Sequence, residues 1–138
     1  DSRQSRGLGD VYKRQVVTTD AKSGVVLMHA YMNEEALKKT IATKEAHYYS
    51  RSRKCLWHKG ATSGLVQDVK NIYIDDDQDC IWLNVIVRGE ASCHVGYKSC
   101  FYREVDINSK QLELKFIEDE KIFDPDEVYG DAPNPTIL

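Results

Sequence analysis

A chain of 138 residues is the length of one domain. Its 41% hydrophobic content, with eight Tyr, two Trp and three Phe, is enough for a core and excludes a disordered tail. Nineteen basic side chains against 22 acidic ones leave a net charge of −3, which excludes a generally basic, nucleic-acid-coating protein but not a local phosphate pocket.

Residues 1–15 are polar and aperiodic, and are expected to be a non-native or disordered leader. The domain proper is expected over 16–117, followed by an acidic C-terminal tail over 118–138 that contains all three Pro. Residues 16–19 and 25–28, separated by Asp20-Ala21-Lys22-Ser23-Gly24, read as a hairpin. The convincing helix covers 33–41: Asn33 caps it, Glu34 and Glu35 sit at the positive end of its dipole, and Leu37 and Ile41 share a face. Short strands follow at 47–50 and 67–74. Residues 81–87 have the strongest strand pattern and are expected to be central. Residues 101–105 and 112–116 read as a closing pair. The fold class is α+β, a mostly antiparallel sheet with one main helix. No apolar run approaches the ~20 residues of a membrane span, and no basic end followed by an apolar block marks a signal peptide. Four Cys are few for a secreted scaffold, so the cytoplasm is the expected compartment and thiol or metal ligand the expected state of each Cys.

Three features carry chemistry. The first is Asp75-Asp76-Asp77-Gln78-Asp79-Cys80. In an extended segment Asp75, Asp77 and Asp79 fall on one face. Three stacked carboxylates repel one another, and a hard divalent cation such as Mg²⁺ relieves that repulsion. An EF-hand is excluded, because the sixth position from Asp75 is Cys80 and the twelfth is Ile86. The second is Cys93 and Cys100, with six residues between them including Gly96. They can fold onto one soft metal, and a third ligand from Cys80 or Asp76 would complete an open catalytic zinc arrangement. The third is the segment 44–59, with five basic residues and one acid, followed by Gly60-Ala61-Thr62-Ser63-Gly64. Arg and Lys interleaved with Ser, Thr and Gly suit phosphate.

Together these blocks resemble the phosphoribosyl-AMP cyclohydrolase family. The resemblance is carried by Val26-Leu27-Met28-His29-Ala30-Tyr31-Met32-Asn33-Glu34-Glu35-Ala36-Leu37, by Tyr49-Ser50-Arg51-Ser52-Arg53, and by Leu56-Trp57-His58-Lys59-Gly60-Ala61-Thr62-Ser63-Gly64. The acidic cluster over 75–79 follows, then Cys93-His94-Val95-Gly96 with Ser99-Cys100-Phe101-Tyr102-Arg103. The blocks stand in family order over roughly residues 16–105. The resemblance implies a zinc- and magnesium-dependent homodimer with its metal sites near the subunit interface. It implies hydrolysis of the N1–C6 bond of the adenine ring in N1-(5-phosphoribosyl)-AMP, with zinc-activated water as nucleophile. The product is the ring-opened formimino-carboxamide ribotide of histidine biosynthesis. The substrate carries two phosphates, which matches a basic segment in an acidic chain.

On this reading Asp75, Asp77 and Asp79 hold magnesium, and Cys93, Cys100 and either Cys80 or Asp76 hold zinc. Arg51, Arg53, Lys59, Thr62 and Ser63 bind phosphate. His94 is the acid–base residue, with His58 as its competitor. Two positions depart from the family pattern. The family commonly reads Asp-Cys-Asp-x-Asp, where this chain has Asp76, with a Cys at 80. In an extended segment 76 and 80 share the face opposite Asp75, about 13 Å apart at ~3.3 Å per residue. Leu65 stands where many relatives carry His or Asn. The alternative reading is a non-catalytic metal- and nucleotide-binding module that keeps the fold. A zinc nucleoside deaminase is not supported, since neither His-x-Glu nor Pro-Cys-x-x-Cys occurs. Neither nucleic acid nor membrane is an expected partner.

Overall fold

The computed structural model describes residues 14–89 and 97–117. In chain order the elements are β1 (Arg14–Asp20), β2 (Val26–Met32), α1 (Glu34–Thr43), β3 (His47–Ser50), β4 (Cys55–His58), β5 (Gln67–Ile74), β6 (Cys80–Val87), β7 (Arg103–Val105) and β8 (Leu114–Phe116). Among the described residues this is an α+β fold, mostly strands with one helix.

Four strands form the main sheet in the order β2-β1-β6-β5. The expected hairpin is β1–β2, and β6 is interior, as its apolar pattern, interrupted only at Asn84, suggests. The middle pair, β1 with β6, is parallel, so the sheet is less uniformly antiparallel than its sequence suggests. Parallel neighbours need a long crossover, and α1 with the β3–β4 hairpin supplies it. Strand β1 starts at Arg14, two residues inside the stretch set apart as a leader. Arg14 is 2% exposed and donates from Nε to the Gln78 carbonyl at 2.7 Å.

The core lies on one face of this sheet. Val16, Leu27, Met28, Met32, Ile81, Leu83 and Val85 pack there against Ala36 and Leu37 of α1 and Tyr48 of β3. Asn33 caps α1 as expected, its Oδ1 accepting the Ala36 N–H at 2.9 Å. Leu37 and Ile41 share a face as expected, both lining one hollow with Ile72, Ile74 and Ile81, and Ile41 at its rim is exposed. A polar knot crosses the core where Tyr48 Oη meets Thr18 Oγ1 at 2.8 Å and also donates to Gln67 Oε1.

The opposite face of the sheet has cross-strand rows set by register. Cys80, Gln15 and Tyr31 are in-register neighbours on β6, β1 and β2. One step along lie Tyr73, Trp82, Val17 and His29. Trp82 and Tyr73 remain 47% and 46% exposed, with ring centroids 4.7 Å apart. The Trp82 indole is pinned by its N–H donating to Thr19 Oγ1 at 2.7 Å.

Candidate functional site

The acidic cluster is the tip of the β5–β6 hairpin. It is a turn, and the extended segment assumed in the sequence reading is not present. Gln78 N–H donates to the Asp75 carbonyl at 3.1 Å, and Gln78 takes a left-handed φ of 64°. Asp75 Oδ1 accepts the N–H groups of Asp79 and Cys80 at 3.1 and 3.0 Å. The turn, not strand alternation, brings one oxygen each of Asp75, Asp77 and Asp79 within 4.8 Å of one another. The 13 Å extended separation of Asp76 and Cys80 therefore does not apply. Asp76 is exposed at the turn and outside the triad, while Cys80 opens β6 on the sheet's open face.

Crowding shows in the acidities. Hydrogen bonds shared with Asp75 and Asp79 push the Asp77 carboxyl up to about 6. The hydrogen bond from Asp77 and those from the turn backbone hold Asp75 below the usual carboxylate range. Burial, and then the negative field of the three aspartates, push the Cys80 thiol up. An all-oxygen triad fits a hard cation such as Mg²⁺, which would displace the shared proton.

Arg51 and Arg53 sit on the turn between β3 and β4. Arg53 N–H and Nε both donate to Ser50 Oγ, at 3.2 and 3.3 Å. The Arg51 guanidinium lies 3.8 Å above the Tyr31 ring, and Arg53 is 5.9 Å from Trp57. These residues, with His29, line a cavity of about 320 Å³ at the β2 edge of the open face. Lys59, Thr62 and Ser63 do not line it. Lys59 is 2% exposed with its ammonium 5.5 Å from Trp57, Thr62 is exposed on the next turn, and Ser63 Oγ accepts the Leu65 N–H at 3.2 Å. That turn depends on Gly60: at φ +91° a Cβ would collide with the backbone of Leu65 and Val66.

His58 lies outside the cavity. Its Nε2 meets Glu45 Oε1 at 2.9 Å, and its ring stacks on His47 at 4.4 Å. Arg88 braces the group, 3.6 Å from Glu45 and paired with both oxygens of Asp68 at 2.7 and 2.9 Å. Sequence reasoning missed Glu45 because the contact is made 13 residues away across the hairpin. Cys93 and His94 lie outside the described residues. Cys100 is exposed on a strap along β2, its N–H donating to the Leu27 carbonyl at 2.7 Å, with Ser99 Oγ on the Val26 carbonyl.

Among the described residues, no helix is long and apolar enough to cross a membrane. The sequence model of the family "Phosphoribosyl-AMP cyclohydrolase" matches residues 28–102, from β2 to just before β7. A curated phosphoribosyl-AMP cyclohydrolase of Rhodopseudomonas palustris strain HaA2 is 57% identical over 115 residues, covering 83% of this chain and 78% of that protein. Those of Rhizobium rhizogenes and Nitrobacter winogradskyi are each 54% identical over 114 residues, covering 82% of this chain and 76% and 78% of theirs. The matched stretch takes in the Arg51–Tyr31 cavity, the acidic turn and the Cys100 strap, and with identity at this level over most of its length the chain belongs to the phosphoribosyl-AMP cyclohydrolase family of enzymes.

Proposed function

We propose that this chain hydrolyses the N1–C6 bond of the adenine ring in N1-(5-phosphoribosyl)-AMP, giving the formimino-carboxamide ribotide of histidine biosynthesis in the cytoplasm. One observation carries the reading. Cys80 and Tyr31, separated by Gln15, lie on the same open sheet face. At ~4.8 Å per strand they are about 10 Å apart, roughly the reach of a nucleotide from phosphate to base. The acidic turn stands at one end of that span and the Arg51-on-Tyr31 cavity at the other.

Asp75, Asp77 and Asp79 would hold Mg²⁺. Cys93 and Cys100, with Cys80 or Asp76, would hold zinc, which when bound supplies a water of lowered pKa as the nucleophile. Strand register supports completing that ligand set across two subunits. From Cys80 to Cys100 the path crosses three strand spacings and runs four residues along β2. That is on the order of 20 Å within one chain, whereas thiolates on one zinc lie ~2.3 Å from the metal. A homodimer with its metal sites near the interface brings the two ends together.

Arg51 and Arg53 hold a substrate phosphate, so the ring is oriented before reaction. Lys59, Thr62 and Ser63, which lie off this cavity, serve the second phosphate. Water oxygen bonds to C6, the C6–N1 bond breaks, and N1 takes a proton as it leaves. His94 supplies that proton, and the Glu45 pairing of His58 favours His94 over His58. The test is turnover by the metal-replete protein, followed by ultraviolet absorbance. Asp76, standing where the family commonly has Cys, favours the non-catalytic binding module as second reading. Bound metal and nucleotide without turnover would establish it.

A further inference from the structure

We propose that His29 is the third donor arm of the Arg51 and Arg53 cavity and contacts the phosphomonoester of a nucleotide bound there. The proposal rests on the reading of that cavity as the phosphate end of the substrate site, and adds a residue to which the sequence reading gave no role.

His29 is exposed on β2, on the open sheet face with Tyr31, since Met28 and Met32 turn into the core. Its ring stands edge-on to Tyr31, centroids 5.1 Å apart at 85°. Arg51 covers the same Tyr31 ring at 3.8 Å, so His29 and Arg51 flank one aromatic platform. A guanidinium held over a ring face by its central carbon still has N–H groups to offer an anion. Arg53 closes the cavity and is already braced by Ser50. Among the described residues, no Asp or Glu lines this cavity. Its lining therefore offers forked donors and an imidazole with no carboxylate to neutralise them.

The three described histidines differ in commitment. His58 gives Nε2 to Glu45, and His47 gives Nδ1 to the Glu45 carbonyl. His29 makes only its ring contact with Tyr31 among the described residues. An exposed imidazole with both nitrogens open, beside two arginines, is built to donate to an anion. A phosphate presents three acceptor oxygens, enough for three arms.

The experiment is calorimetric titration of AMP, with adenosine as a phosphate-free control, into the full chain and its His29→Gln and Arg53→Ala variants. His29→Gln should weaken AMP about tenfold, the size of one hydrogen bond to a charged group. Adenosine binding should not change. Arg53→Ala should also weaken AMP. No loss for His29→Gln with Arg53→Ala impaired, or an equal loss of adenosine binding in His29→Gln, would overturn the role of His29 and leave the cavity assignment standing. AMP binding indifferent to both variants would overturn both.

Discussion

The Asp75 carboxylate closes its own turn by accepting the Cys80 backbone N–H at 3.0 Å, so one oxygen fixes the start of β6 within reach of the proposed cation. Asp75→Ala should therefore do two things that Asp77→Asn does not. It should destabilise the hairpin by about 1 kcal/mol, the usual worth of such side-chain-to-backbone hydrogen bonds, and it should displace Cys80. Asp77→Asn should weaken magnesium dependence and leave zinc in place. Thermal melts with parallel metal analysis separate the two, and zinc lost from Asp77→Asn would mean the sites are not independent.

The raised pKa of Asp77 sets a pH window. Its folded value of about 6 stands above the ordinary 3.8, so between these values the folded cluster holds a proton the unfolded chain has released. The Asp77 contribution to metal-free stability is present below the ordinary value and is lost as pH rises through about 6. A divalent cation bound at the triad would replace that proton. Magnesium should raise the melting temperature above pH 6, with the effect fading as pH falls below it. A magnesium effect that grows on acidification would contradict the triad as its site.

Cys100→Ala alone and Cys80→Ala with Asp76→Ala should each lose zinc and nearly all activity, since two ligands hold zinc poorly. Mixing the two inactive proteins under exchange conditions should restore part of both, because one site in each mixed dimer regains its full set. Zinc retained by Cys100→Ala would remove that residue from the ligand set.

His94→Asn should keep zinc and lower kcat by ~10²-fold or more if it carries the proton. His58→Asn should instead lower the melting temperature, because it abandons Glu45 and the His47 stack. A large kcat loss in His58→Asn with His94→Asn active would reverse the assignment.

Arg53→Ala should raise KM more than it lowers kcat, as expected for a contact equally strong before and during reaction. Steady-state kinetics on the full chain checks this, and a pure kcat loss would contradict it.

Much of this was legible in the amino-acid order, sometimes for a different physical reason. Asp75, Asp77 and Asp79 stand out by their spacing of two, yet a turn with Gln78 left-handed is what groups them. Ile81, Leu83 and Val85 announce an interior strand because alternate positions are fully apolar. Strand β4 was not legible, since Leu56 and Trp57 are hemmed by basic residues that read as a loop. Nor was the partner of His58, since side-chain pairs across a hairpin depend on register. His29 lies within the block over 26–37, yet nothing in the sequence gave it a role. Only the direction of its side chain from β2 brings it beside Arg51.

Ring opening in ¹⁸O-labelled water tests the central claim most directly. The metal-replete chain should convert N1-(5-phosphoribosyl)-AMP to a product one water heavier, with the label in the carboxamide oxygen that was bonded to C6. Folded, metal-loaded protein that binds the nucleotide and returns it unlabelled and unopened would contradict the account.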